Sequence, residues 1–304
     1  MEENRKVLFL GNGINRAFLD NKYSWGSLIK ELFDKNGIKT DIDFESNLPY
    51  TLIFEHLVSE MVKNSEKRQI KKAFSKISNQ IVDNFSKKEN LGKLIPKLKD
   101  FDVIITTNFD KNLQFGNSWR KTNNFINRVT YSTFRSYEKC LNSKMKTIHY
   151  IHGFIETPSS LCLGLKHYAN ELAKNEEYFY RGLKGKESLQ SRLRSNNFDL
   201  KEHYSWIDYF FDKNISIDIV GFGLSFEESD IWWVLEKRLE FINTNPILQS
   251  NKVTYYYNKN EEDELNSKLS ILGAFKIETN PIELVSFNMH KEFINSYFNK
   301  STEA

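Results

Sequence analysis

A chain of 304 residues with 39% hydrophobic and 14% aromatic content buries a sizeable core, which excludes an intrinsically disordered polymer. Its net charge of +3 is too small to mark a nucleic-acid binder by itself. Two cysteines, Cys140 and Cys162, exclude a four-cysteine zinc ribbon within the chain, and no apolar run approaches the ~18 residues of a membrane span, so a non-membrane protein of the reducing cytoplasm is expected.

The first expected strand is Val7–Leu10, an apolar run closed by Gly11-Asn12-Gly13. A helix follows from Ser24 or Trp25 to Asp34, with Ser24 as its cap and Trp25, Leu28, Ile29 and Leu32 on one face. From 49 to 99 the apolar spacing is helical: Leu52, Phe54, Leu57, Val58 and Met61, then Ile70, Phe74, Ile77, Ile81 and Phe85. Lysines gather in Glu66–Lys76 and Lys87–Lys99. At helical spacing these read as solvated faces, with contact to an acidic partner or nucleic acid as the alternative.

Val103–Ile105 is the next strand and runs directly into Thr106-Thr107-Asn108-Phe109-Asp110. Thr147–Ile151 is another strand, ending in His152-Gly153, and Leu161–Leu165 reads as a short one. Residues 166–211 are helical, with a polar middle near Lys184–Asn197 that reads as a mobile insert. Ile215–Val220 is a buried strand stopped by Gly221-Phe222-Gly223. The expected helix Glu227–Ile242 is capped by Ser225, with Glu228 completing a capping box. Val253–Tyr257 and Phe275–Ile277 are the last expected strands. Strands alternating with helices give an α/β, Rossmann-like, mostly parallel sheet flanked by helices. It is read as a single domain over residues 1–304, with helical insertions at about 40–100 and 166–211.

Four places carry candidate chemistry. Gly11-Asn12-Gly13-Ile14-Asn15-Arg16 follows the first strand as a phosphate-approaching loop would, but it lacks the third glycine of the dinucleotide pattern; a purely structural turn has the same look. Arg16 is suited to a bidentate phosphate contact or to an ordinary surface position. Thr107, Asn108 and Asp110 sit where open α/β sheets place ligands, and either acid or amide also suits a helix cap. His152 before Gly153 reads as a general base near neutrality or as a histidine satisfied by backbone. His149 would point to the opposite face, so a shared metal among His149, His152, Cys162 and His167 is disfavoured. Gly221-Phe222-Gly223-Leu224-Ser225 makes a second glycine-rich turn, a further wall for an extended ligand.

In this order, the glycine opening with Trp25, Thr107–Asp110, His152-Gly153, Gly221–Ser225 with Asp230, and a strand ending Tyr257-Asn258, the chain resembles the sirtuin-like (SIR2-like) family of bacterial proteins. The Gly-Asn-Gly opening is also similar to that of AbiH-type abortive-infection proteins. The resemblance implies NAD binding across the carboxyl edge of the sheet, with NAD as substrate. Gly11, Asn12, Gly13 and Asn15 would line the pyrophosphate and nicotinamide side, and Asp110 would hold the carboxamide. Asn108 would orient water or the ribose, and His152 would act on a ribose hydroxyl. Gly221, Gly223, Ser225 and Asn258 would face the adenosine half.

The deacetylases of that family carry a four-cysteine zinc module and a cofactor loop that this chain lacks. The resemblance therefore implies a zinc-free NAD hydrolase of antiphage defence, in a homo-oligomer or with a phage-sensing partner. A catalytically silent sensor of NAD or an ADP-ribose derivative, gating a partner, is the alternative. An enzyme acting on nucleic acid or another nucleotide through the lysine-rich helices is weaker, as is an oxidoreductase, for which no acid–base pair and no acidic residue at the usual ribose position stand out.

Overall fold

The structure, a computed structural model, describes residues 5–19, 24–44, 48–63, 75–76, 79–80, 95–98, 100–110, 113, 120–121, 136–141, 144–183, 185–196, 199–245, 251–284 and 289–301. Ile70, Phe74, Ile77, Ile81, Phe85 and most of both lysine-rich stretches lie outside the described residues.

The strands are β1 (Arg5–Leu10), β2 (Val103–Thr106), β3 (Arg120–Lys121), β4 (Ser136–Leu141), β5 (Lys144–Tyr150), β6 (Ile215–Val220), β7 (Lys252–Asn258) and β8 (Glu278–Ile282). They form one sheet in the order β3-β4-β5-β2-β1-β6-β7-β8. From β5 to β8 every neighbouring pair is parallel, and β3 and β4 add an antiparallel extension at the β5 edge. The expected α/β class with a mostly parallel sheet is therefore the observed one. From β1 the chain builds outward through β2 to β5, then crosses back to place β6 on the other side of β1 and builds outward through β7 and β8. Such a reversal opens a crevice at the carboxyl ends of the strands.

Alternation along the strands divides the core in two. Leu8, Leu10, Ile104, Ile148 and Val220 face α1 (Gly13–Leu19), α2 (Trp25–Lys35), α3 (Tyr50–Met61) and a C-terminal helix, Met289–Ser301. Val7, Phe9, Val103, Ile105, Ile217 and Ile219 face the other layer. The helices of that layer, with the short α4 (Ile95–Leu98) counted before them, are α5 (Leu165–Arg181), α6 (Leu189–Ser195), α7 (Ser229–Thr244) and α8 (Glu262–Ala274).

Several expectations are corrected. Residues 161–163 are extended but join no strand, and Leu165 opens α5 instead. The last strand is β8, because Phe275 and Lys276 close a turn onto Ile271 and Gly273 of α8. The polar middle read as a mobile insert carries α6, whose Leu189 and Leu193 are fully buried. Arg192 there joins Asp208 at 3.0 Å and the Tyr178 hydroxyl at 2.8 Å, so the segment is anchored by a buried polar network. No helix among the described residues is long and apolar enough to cross a membrane.

Register brings the site together. Leu10 pairs with Thr106 of β2 and with Val220 of β6, so all three strands stop at one level. Their loops begin side by side at Gly11, Thr107 and Gly221.

Candidate active site

The two glycine turns pack on each other. Gly11 N donates to Val220 O at 3.1 Å and Gly13 N to Gly221 O at 2.7 Å, with Gly221 in the left-handed region at φ 62°. A Cβ on Gly11 would stand 2.4 Å from the Phe222 Cα, and one on Gly13 would stand 2.6 Å from Gly221 O. The close approach that these glycines permit is thus between two loops of the protein. Gly11 holds this loop-to-loop contact and is not among the residues bordering the cleft, whereas Gly13 borders it as well. Gly11→Ala is accordingly expected to destabilise the fold by about 1–3 kcal/mol, read as a fall in Tm.

A cleft of about 330 Å³ opens at this edge of the sheet. Asn12, Gly13, Arg16, Thr107, Gly221, Gly223, Ser225 and Asn258 all border it. Arg16 is the cation of one wall and Lys268 of α8 of another; Lys268 donates to Gly223 O at 2.8 Å, and burial lowers its pKa against the pull of Glu228.

Beside the cleft lies a chamber of about 20 Å³, bordered by Asn12, Asn15, Trp25, Thr107, Asn108, Asp110, His152 and Glu228, among others. That is room for about one water-sized group. Thr106 Oγ1 donates to Leu10 O at 3.0 Å and accepts the Asn108 N–H at 3.0 Å, which turns the chain away from the strand. Asn108 Nδ2 then donates to Gly11 O at 3.1 Å, leaving its carbonyl oxygen as the acceptor. Asn15 Nδ2 donates to Asp110 Oδ2 at 2.7 Å, while the buried Asn15 Oδ1 has no hydrogen-bond partner. A buried acceptor beside a carboxylate suits a ligand that brings donors.

His152 is 1% exposed, and its Nε2 lies 3.1 Å from Asp230 Oδ2. Burial opposes its imidazolium, yet the charge and hydrogen bond of Asp230, with Glu228 and Glu171 behind, raise its pKa above the ordinary value. Asp230 is itself buried at 1% and fixes which ring nitrogen remains for chemistry, namely Nδ1. The edge of Tyr168 closes against the imidazole, with ring centroids 5.0 Å apart.

Of the other candidate metal ligands, Cys162 shares with His152 the fields of Asp230, Glu228 and Glu171, which with burial push its thiol pKa up, while His149 and His167 have separate surroundings. His149 packs edge-on to Tyr209 at 5.5 Å, and burial together with His203 pushes its pKa down to about 3. His167 Nδ1 accepts the Leu163 N–H at 3.1 Å. Among the described residues no group of three His, Cys, Asp or Glu is placed to hold a metal ion.

The loop after β6 departs from the expected helix start. Glu228 Oε2 accepts the Ser225 N–H at 3.0 Å, the reciprocal half of a capping box, but α7 begins only at Ser229. The intervening turn frees Glu227, whose two carboxylate oxygens accept the Tyr50 N–H at 3.1 Å and the Thr51 N–H at 3.0 Å. These are orphan donors of the α3 N-terminus, 176 and 177 residues away in sequence. Burial pushes the Glu228 carboxyl up to about 8, against the charge of His152.

Residue-by-residue reading missed Glu228, Lys268, Tyr255 and Tyr256 at the cleft, and it gave Asp230 no role. The acidic run Glu227-Glu228-Ser229-Asp230 after a glycine turn was the available signal. No model of a known protein family matches the chain, and no curated protein matches it.

Proposed function

We propose that the protein is a sirtuin-like glycohydrolase of NAD+ that releases nicotinamide and ADP-ribose. The observation that carries this reading is a cleft of about 330 Å³ at the carboxyl edge of the sheet, beside a water-sized chamber walled by amides, carboxyl groups and His152, which Asp230 holds. The cleft offers Arg16 and Lys268 to a diphosphate and the Gly221–Ser225 turn and Asn258 to an adenosine half.

The chemistry needs little more. Nicotinamide leaves NAD+ as a neutral base, so no general acid is required, unlike the paired carboxyls of most glycosidases. Asp110 and the unsatisfied Asn15 Oδ1 suit the N–H groups of a carboxamide or the hydroxyls of a ribose. The Asn108 carbonyl oxygen orients water toward the ribosyl carbon, and His152, held by Asp230, takes the proton.

Loss of NAD+ is toxic to a cell, and the reading extends to a cytoplasmic effector of antiphage defence, restrained in a homo-oligomer or by a phage-sensing partner until triggered. The test is nicotinamide release from NAD+ by the purified chain, alone and with the products of neighbouring genes. Turnover in any of these conditions supports the reading. Intact binding of NAD+ with no nicotinamide release in all of them overturns it and favours a silent sensor.

A further inference from the structure

Three spaces meet at two side chains, Trp25 and Glu228. Besides the cleft and the chamber, a third space of about 50 Å³ lies between Trp25, Tyr50, Leu163, Tyr168 and the Glu227–Glu228 turn. Glu228 and Trp25 border all three, and Glu228 is the one ionisable group among the described residues to do so. The other carboxylates are differently placed. Asp110 borders the chamber alone and is tied to Asn15, Asp230 is tied to His152, and Glu261 borders the cleft alone.

Glu228 is also held in position. Its Oε2 accepts the Ser225 N–H at 3.0 Å, which leaves Oε1 for the space around it. Burial lifts its carboxyl to about 8, with Asp230 and Glu227 adding to the rise and a protonated His152 opposing it, so the carboxylate form prevails above about pH 8, where the His152 imidazole is also neutral. A carboxylate fixed by one oxygen, between a cleft for the body of a ligand and a chamber for water, stands where a bond between the two would break.

We propose that Glu228 is a catalytic carboxylate of this site, facing the positive charge that develops on the ribosyl group. The inference rests on the NAD+ reading and adds a residue to it. In the step, the bond from C1′ to the nicotinamide nitrogen breaks and its electron pair leaves with nicotinamide. The ribosyl group gains positive charge, Glu228 stabilises it through space without forming a bond, and water adds at C1′. The proton of that water passes to His152 and then to solvent, so NAD+ and water yield nicotinamide, ADP-ribose and one proton. Preorganised opposite charge in a site shielded from water acts on the transition state more than on the ground state.

Glu228→Gln tests this, because the amide oxygen still accepts the Ser225 N–H while the charge is removed. Assayed at about pH 9, above the Glu228 titration, the expected result is a fall in kcat of about 100-fold or more, with KM for NAD+ changed by no more than about threefold and ADP-ribose binding retained. A residue that only shaped the loop would be rescued by glutamine. Wild-type kcat in Glu228→Gln with ADP-ribose binding intact overturns the inference and leaves the NAD+ reading standing. Absence of nicotinamide release from the wild type under every activating condition instead overturns the NAD+ reading, and the inference with it.

Discussion

His152→Ala is expected to lower kcat for nicotinamide release by about 10²–10⁴-fold and also to weaken the fold. The two effects have different origins. Truncating the imidazole removes the proton acceptor of the chamber, and it also leaves Asp230, 1% exposed, as a buried charge without its partner. Breaking a buried pair from one side costs about 3–5 kcal/mol. The double variant His152→Ala/Asp230→Asn removes that charge. It is expected to recover much of the stability while kcat stays low, and thermal unfolding beside a nicotinamide assay separates the two. Recovery of activity in the double variant would contradict the assignment of His152 as base.

The same pair sets the pH behaviour. Because the folded His152 pKa is raised, its contribution to stability is fully present below about pH 6.5 and is lost as pH rises through the folded value. Catalysis needs the neutral imidazole, so the rising limb of kcat belongs above the ordinary histidine range. Asp230→Asn removes the charge that raises the pKa while burial still lowers it, and the limb is expected to move to lower pH.

Asn108→Ala is the second large effect, with kcat expected to fall by about 10²–10³-fold. The structural loss is small by comparison. The side chain gives up one hydrogen bond, Nδ2 to Gly11 O at 3.1 Å, worth about 1 kcal/mol. The turn itself survives, since Thr106 Oγ1 accepts the backbone N–H of residue 108 whatever its side chain. ADP-ribose affinity should therefore persist where turnover does not. An Asn108→Ala protein that hydrolyses NAD+ at the wild-type rate would remove this residue from the mechanism.

Much of the frame is legible in the sequence because burial is. Val7–Leu10, Val103–Ile105 and Ile215–Val220 are apolar runs that fall within β1, β2 and β6, buried between two helical layers. Ser24 marks the start of α2, since its side chain accepts the Ser27 N–H at 3.1 Å. The Ser225 and Glu228 signal misleads about the start of α7 because the same hydrogen bond closes a turn before the helix.

The site is legible in its parts and not in its pairings. His152 and Asp230 are 78 residues apart, and no local spacing joins an imidazole after β5 to a carboxylate at the start of α7. Lys268, Tyr255 and Tyr256 read as ordinary residues of a helix and a strand, and only the sheet order brings them to the cleft. Gly11 and Gly13 look like a ligand loop because close approach is legible in glycine, but what approaches is not: here it is Gly221 and Phe222.

The contact of Glu227 with Tyr50 and Thr51 has a consequence for how this chain can diverge. The carboxylate grips main-chain N–H groups, which every residue except proline supplies. The exposed side chains of α3, unlike its buried Ile53, Phe54, Leu57 and Val58, are therefore free to drift without loosening its hold on the loop that carries Glu228. A proline at either position, or loss of the acid at 227, would cut that hold at a single mutational step. The fold thus lets the surface of this helix change partners over evolutionary time while its seat against the site stays fixed.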